Sequence, residues 1–170
     1  LFIMEQSVYP LRESEMFTQW MSNIEDNPVQ GALTGGLVTL IIQSSSGTVG
    51  MAIILGKQNV LSISGGLAIM LGAELGTCSD TLIATIRGSR QAIKAGLFHL
   101  IYSLVTIVIA LLLFSPFVDL IMKLFPEGDI GNQIANGHVI FNVLGVLLCL
   151  PFLKFFERFL NFILPEKGAV

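Results

Sequence analysis

Four consecutive polar side chains, Gln43-Ser44-Ser45-Ser46, interrupt an otherwise apolar region of this 170-residue chain. Apolar arms flank them at residues 31–42 and 47–56. A helix rises about 1.5 Å per residue, so the longer arm reaches only about 20 Å across a hydrocarbon core of about 30 Å. The two arms therefore predict a re-entrant hairpin. Its polar tip is tolerated at membrane depth only where it is buried in protein or lines a water-filled cavity.

The composition of the tip indicates ion binding. Serine hydroxyls and a glutamine amide both donate and accept hydrogen bonds. The second arm begins just after the serines, so its first N–H groups and its positive dipole end suit an anion. Oxygens at the end of the first arm suit a small, hard cation. A tight turn would also explain one serine. Three serines and a glutamine favour a binding function, because polar groups are costly to bury in lipid.

The overall composition predicts a protein that crosses the membrane several times. Hydrophobic residues make up 53% of the chain, charged residues 12%, and the mean hydropathy is +0.78. A soluble domain carries roughly 25% charged residues. Soluble enzymes are thereby excluded, and a net charge of −3 offers no basic surface for nucleic acid. We expect membrane lipid as a partner and the plasma membrane, in a bacterium the inner membrane, as the location.

The first half of the chain divides into three predicted segments. Residues 1–27 are expected to be the end of a membrane helix followed by an interfacial helix with Tyr9 and Trp20 as anchors. The hairpin covers residues 28–56. Residues 62–87 are expected to be one transmembrane helix, capped by Ser62. We expect it to be broken at residues 72–77, because Gly, Glu and Thr are poor interior residues in lipid. The alternative is a continuous helix whose glycines serve packing.

The second half predicts two further transmembrane helices, at residues 91–114 and 131–152, and an interfacial segment at residues 154–170. Each span carries a polar stripe, which includes His99 in the first and His138 in the second. We assign both histidines to hydrogen bonds between helices, with a direct proton or substrate role as the less favoured alternative. We expect these stripes and the Gly31/Gly35 face to have no partner within residues 28–153.

Three stretches carry a resemblance to a known family. They are Gln43-Ser44-Ser45-Ser46, Gly72-Ala73-Glu74-Leu75-Gly76-Thr77, and the segment from Ile134 to Asn142 that contains His138. In this order they resemble the QSSS, GANIGT and HTLFN elements of the type II sodium–phosphate cotransporters. That family has two inverted repeats, each with a QSSS hairpin. Residues 28–153 resemble one repeat, and the layout is more similar to the second.

The resemblance implies an all-α membrane protein that is half of an inverted-repeat transporter, and not an enzyme. The implied function is sodium-coupled symport of inorganic phosphate by alternating access. Phosphate would bind Gln43, Ser44, Ser45, Ser46, Gly47 and Thr48. Sodium, the coupling ion, would bind Thr39, Gln43, Ser46, Thr77 and Asp80. The other half of the site would come from an inverted repeat upstream, or from an antiparallel second copy.

Two departures from the family pattern keep other functions open. Glu74 stands where the family has Asn, and Asp80 where it has small polar or apolar residues. We expect Asp80 to be a cation ligand, with an ion pair to Arg87 or a protonated, packed carboxyl group as the alternatives, and Glu74 to point elsewhere, such as to solvent. Because both add negative charge, the substrate could be another oxyanion or a carboxylate. A further alternative is an intramembrane serine protease, because Ser44-Ser45-Ser46-Gly47 loosely resembles the GxSG loop of rhomboids, with His99 or His138 as the base.

The distribution of charge predicts the orientation of the chain. The basic residues are expected on one side, which the positive-inside rule makes cytoplasmic, and the acidic loop residues on the other. The basic set is Arg87, Arg90, Lys94, Lys154 and Arg158, and the acidic set is Glu25, Asp26, Asp119, Glu127 and Asp129.

Overall fold

Every element of the described chain is a helix. The computed structural model describes residues 14–85 and 88–165, without the side chains of residues 16–18, 20, 25, 26 and 80. The helices are α1 (Glu15–Asp26), α2 (Pro28–Ile42), α3 (Ser45–Lys57), α4 (Ile63–Thr85), α5 (Arg90–Leu112), α6 (Phe114–Leu124), α7 (Ile130–Cys149) and α8 (Leu153–Ile163), with a short 3-10 turn at Leu150–Phe152 before α8. The predicted all-helical class is confirmed for these residues. The predictions for residues 1–13, for the Trp20 anchor and for Arg87 lie outside them.

Local capping explains where several of these helices begin. Asn27 Oδ1 accepts from the N–H groups of Val29 and Gln30 at the start of α2, and Pro28 occupies its first turn. Ser62 Oγ accepts from Gly65 N–H at 3.1 Å before α4, as predicted. Asp129 caps α7 in the same way, through Asn132 N–H at 2.7 Å.

Helix α4 is the buried centre of the fold. Leu67, Met70 and Leu71 are fully buried on it, and α2, α3, α5 and α7 all pack against it. A Cβ atom on Gly72 would overlap the backbone oxygen of Ala32, and one on Gly35 would overlap that of Ile69. Helices α2 and α4 therefore touch backbone to backbone, which only glycine permits.

The predicted break in this helix is wrong. Helix α4 runs without interruption from Ile63 to Thr85. Gly72 faces Ala32 of α2, and Gly76 faces Thr39 of the same helix. The two glycines are therefore packing positions, and the helix keeps its internal hydrogen bonds through the GAELGT stretch.

Among the described residues, three helical stretches are long and apolar enough to cross a membrane: Ile63–Thr85, Arg90–Leu112 and Ile130–Ile163. The third includes Pro151, which we expected to end the last span. Pro151 lies in a single 3-10 turn, after which the chain continues as α8. Proline fits the first turn of a helix, so it redirects the chain there without ending helical structure.

Helices α2 and α3 form an antiparallel pair beside α4. The start of α2 lies at the start of α4, where Gly31 faces Ala68. Gly56, near the end of α3, faces Ile130 and Ile134 of α7, and Gly66 of α4 faces the same Ile134. Both ends of the pair therefore lie near the first turns of α4, and the turn between them lies farther along α4.

Candidate substrate site

The turn at Gln43 and Ser44 is built by two opposed helix ends. Gln43 ends α2 in the left-handed conformation, with φ of 55°, and its N–H donates to Thr39 O at 2.6 Å. Ser44 is extended and caps α3, because its Oγ accepts from Gly47 N–H at 3.1 Å. The negative end of one helix dipole and the positive end of the next therefore lie within three residues of each other.

The first turn of α3 presents groups suited to an anion. Thr48 N–H bonds Ser44 O, and Gly47 N–H bonds Ser44 Oγ. The N–H groups of Ser45 and Ser46 precede these bonds, at positions where a helix supplies no internal acceptor. Ser46 is exposed and Ser45 is partly exposed. Two N–H groups and two hydroxyls therefore sit at the open end of the helix.

Beneath the tip, a buried chain of hydroxyls ties the two arms together. Thr39 Oγ1 donates to Thr48 Oγ1 at 2.8 Å, and Thr48 Oγ1 donates to Ser44 O at 3.2 Å. Thr39 and Thr48 are 0% and 2% exposed. The side chain of Thr39 also faces Gly76 of α4. The tip is thus fixed both to its own second arm and to the central helix.

The structure brings some of the predicted ligands together and places others apart. Thr39, Gln43, Ser46 and Thr48 belong to the tip, and Gly76, which precedes Thr77, packs against Thr39. Thr77 Oγ1 itself donates to Ala73 O of its own helix at 3.1 Å. The side chain of Asp80 lies outside the described residues. Within the described residues, no three of His, Cys, Asp and Glu cluster closely enough to hold a metal ion. The ligand roles of the predicted set therefore stay predictions.

One functional candidate was missed. Glu74, expected to point elsewhere, lies with Oε1 at 2.5 Å from His138 Nε2 of α7. The expectation for Glu74 is wrong because α4 is continuous, which turns this residue towards α7. The sequence held a signal for the pair, since a carboxylate and an imidazole in the middle of two membrane spans each need a partner.

The histidine assignments are confirmed, and the expectation of unpartnered faces is wrong. His99 Nδ1 lies 3.3 Å from Thr81 Oγ1 of α4, and His138 joins α7 to α4. The Gly31/Gly35 face also meets α4, at Ala68 and Ile69. These faces find their partners on α4, because α4 is packed against several other helices of the same chain.

Comparisons with known proteins agree with this architecture. The model of the family described as Na+/Pi-cotransporter matches residues 1–149. YqeW of Bacillus subtilis (strain 168), an uncharacterized protein, is 24% identical over 158 residues, which are 93% of this chain and 51% of YqeW. Human sodium-dependent phosphate transport protein 2B is 30% identical over 92 residues, 52% of this chain and 13% of that protein. The putative inorganic phosphate export protein YjbB of Escherichia coli (strain K12) is 23% identical over 169 residues, 98% of this chain and 30% of YjbB.

The chain spans about half or less of the length of these curated relatives. No solved structure is significantly similar to it. The family match covers most of the chain, including the serine tip, the GAELGT stretch and the His138 helix. With three helices able to cross a membrane and a tip of opposed helix ends, the chain belongs to the Na+/Pi-cotransporter family.

Proposed function

We propose that this chain supplies half of the substrate site of a membrane transporter that moves inorganic phosphate with sodium. The observation that carries the proposal is the pair of opposed helix ends at Gln43 and Ser44. Half-helix ends that face substrate and ions near mid-membrane are a common construction of secondary transporters. The names of 2B and YjbB, which refer to phosphate transport, support the same substrate.

Phosphate binds at the start of α3 in this proposal. The N–H groups of Ser45 and Ser46 and the hydroxyls of both residues are donors, and the helix dipole favours the anion. Gln43, Ser44, Gly47 and Thr48 complete the phosphate-binding segment. Ser44 and Thr48 already bond within the tip, so their part is to hold the donors in place.

Sodium binds at the end of α2. The last carbonyl groups of a helix have no internal partner and carry partial negative charge. Thr39 donates its proton to Thr48, which leaves its acceptor lone pairs available to a cation. Gln43, Ser46, Thr77 and Asp80 are the other proposed ligands. A bound cation beside the anion lowers the cost of removing phosphate from water.

The hairpin of α2 and α3 enters and leaves the membrane on one side in this proposal. Its support is that both ends of the pair lie near the first turns of α4, while α2 has 15 residues against the 23 of α4. At about 1.5 Å per residue, α2 is too short to cross. The tip then lies within the membrane, where alternating access can expose it to either side.

An inverted second repeat covers the outer face of α2. This face is apolar and exposed: Leu33 is 62%, Leu37 61% and Ile41 81% exposed. Because it continues directly into the tip at Gln43, a repeat that packs there is able to complete the phosphate and sodium shells. An antiparallel second copy of the chain would serve equally.

Uptake of radioactive phosphate into liposomes that contain the purified protein tests this function. Sodium-dependent uptake is expected, and Ser45→Ala or Ser46→Ala removes a donor, which weakens phosphate affinity about five- to a hundredfold. Ser115→Ala, an exposed serine of α6, is the matched control and keeps wild-type uptake. Asp80→Asn should weaken activation by sodium, and Asp119→Asn, which is exposed on α6, should not. Wild-type uptake by a variant with all three tip serines replaced would refute the proposed site.

The same liposomes separate phosphate from the other substrates. Competition by sulfate or by a dicarboxylate stronger than that by phosphate itself would reassign the substrate. Outward movement of phosphate down a sodium gradient would favour an export function, as in the name of YjbB.

The protease alternative predicts that a fluorophosphonate labels Ser46. Against it, neither His99 nor His138 has a hydrogen bond to Ser46 among the described residues, and they bond Thr81 and Glu74 instead.

A further inference from the structure

A carboxylate and an imidazole meet in the middle of the membrane-spanning helices. Glu74 lies at the midpoint of α4 and His138 near the midpoint of α7, with 2.5 Å between Oε1 and Nε2. The side chains are 18% and 33% exposed, so both are largely withdrawn from solvent. Ionisable residues at this depth are costly and mark ion or proton pathways in membrane proteins.

Within the described part of the chain, His138 is the cationic partner that contacts Glu74. Neither α4 nor α7 contains Lys or Arg, and α2 has no charged residue. Besides His138, the Cys78 thiol of α4 and the Tyr102 phenol of α5 are titratable groups that interact electrostatically with Glu74. The other titratable or charged residues of the packed helices are Glu15, Glu25 and Asp26 of α1, Lys57 at the end of α3, Asp80 of α4, Arg90, Lys94 and His99 of α5, Asp119 and Lys123 of α6, and Cys149 of α7.

We propose that Glu74 and His138 form a proton-binding site, and that the transporter takes up and releases one proton there in each cycle. This inference rests on the proposed transport function. With the proton between Nε2 and Oε1, the imidazolium neutralises the carboxylate and links α4 to α7. Without it, a negative carboxylate faces a neutral imidazole, and rearrangements that hydrate Glu74 are favoured. Histidine is the common proton-exchanging side chain of proteins, and the contact with Glu74 supplies a second proton acceptor beside it.

The proton site can act on the substrate site through α4. Helix α4 holds Glu74 on the side that meets α7, and its Gly72 and Gly76 touch α2 at Ala32 and Thr39. Thr39 in turn bonds Thr48 beneath the tip. A change at the α4–α7 contact therefore reaches the hairpin through one rigid helix and two close contacts.

The test measures phosphate uptake by the reconstituted protein at pH 6 and pH 8 and at fixed sodium. We expect the wild-type rates to differ by about fivefold or more, the lower end of usual coupling factors. Glu74→Gln and His138→Gln should each change this ratio by about fivefold, to the value that the ionisation of phosphate alone sets. His99→Gln is the matched control, because His99 is the other histidine of the chain and meets a hydroxyl instead of a carboxylate. The ionisation of phosphate contributes equally to the ratio of every variant. Differences between the ratios of the variants therefore arise from the protein.

Two results would overturn the proton site. One is an unchanged ratio in Glu74→Gln, and the other is an unchanged ratio in His138→Gln, each compared with the wild type. Glu74→Asp keeps a carboxylate and should keep the pH profile, which excludes loss by misfolding. If one of the Gln variants does not fold, the pH ratios of the other Gln variant and of Glu74→Asp test the proton site.

Absence of uptake by the wild type at either pH would contradict the proposed transport and not the proton site. The pH dependence of the thermal unfolding temperature then tests the protonation of Glu74 and His138 without transport. A dependence between pH 5 and 8 that His138→Gln abolishes and His99→Gln retains supports the site. A dependence that is unchanged in His138→Gln overturns it.

Discussion

Thr39 and Thr48 are the residues on which the shape of the serine tip depends. Thr39→Val keeps the size of the side chain but leaves the buried Thr48 oxygen without its donor. The loss of one buried hydrogen bond costs about 1 kcal/mol of stability. We expect a lower unfolding temperature, measured on the purified protein, together with weaker phosphate binding because the donors of Ser45 and Ser46 are less well held.

Thr39→Ser is the matched control for the hydroxyl, and it should retain most of the affinity. Its stability falls for another reason, because it loses a buried methyl group that packs against Gly76. A Thr39→Val protein with wild-type stability would show that the bond to Thr48 contributes nothing. Weaker sodium activation in Thr39→Val, with unchanged phosphate affinity at saturating sodium, would instead mark Thr39 as a sodium ligand.

At the scale of single residues, the sequence predicts the features that depend on neighbouring residues, such as the start of a helix. Pro28 and Ser62 begin their helices as expected, because capping depends on neighbours within three residues. The partner of Glu74 was out of reach, because it lies 64 positions away and depends on how α4 rotates against α7. A histidine and a carboxylate within membrane spans indicate that each has a partner. Which residue that partner is depends on how the helices pack.

Among the elements, the contact between α2 and α4 is the closest. Gly35→Ala places a Cβ against the Ile69 backbone, so the two helices must separate. Overpacking of this kind costs about 1–3 kcal/mol, and a backbone neighbour cannot move aside as a side chain can. We expect a large fall in the unfolding temperature of the purified protein.

Gly36→Ala is the control one position later. Its Cβ would lie 3.4 Å from the Gly72 oxygen, an ordinary contact. Alanine favours a helix over glycine by about 1 kcal/mol, so this variant should be neutral or more stable. Equal losses in Gly35→Ala and Gly36→Ala would contradict the close α2–α4 contact.

The prediction of a break in α4 was wrong for a physical reason. Glycine has two uses in membrane helices, to open the backbone and to let another backbone approach, and the sequence of one helix does not separate them. The Gly35 and Gly72 positions on two helices show the second use. By contrast, the two arms at Pro28–Ile42 and Ser45–Lys57 follow from composition and from the polar residues between them.

At the scale of the whole molecule, the bundle has two ends that differ in charge, although Lys57 lies at the acidic end. The start of α5 meets the end of α8, where Lys94 Nζ bonds Asn161 Oδ1 at 2.5 Å and Arg90 bonds the Pro165 carbonyl. At the opposite end, Gly131 of α7 lies against Lys57 of α3, close after the acidic turn at Glu127 and Asp129. Arg90 and Lys94 thus share one end, which the positive-inside rule makes cytoplasmic.

This arrangement predicts which positions an impermeant thiol reagent reaches. In cells, Ser89→Cys should be labelled only from the cytoplasm and Gly128→Cys only from outside, because Ser89 precedes α5 and Gly128 precedes α7 at opposite ends. Cys78 and Cys149 are buried, and their replacement by Ser removes any remaining background. Asn27→Cys, just before the hairpin, should behave as Gly128→Cys, since both ends of the α2–α3 pair lie at that end of α4. Labelling of Ser89→Cys and Gly128→Cys from the same side would refute the orientation, and labelling of Asn27→Cys from the cytoplasm would refute the entry of the hairpin from outside.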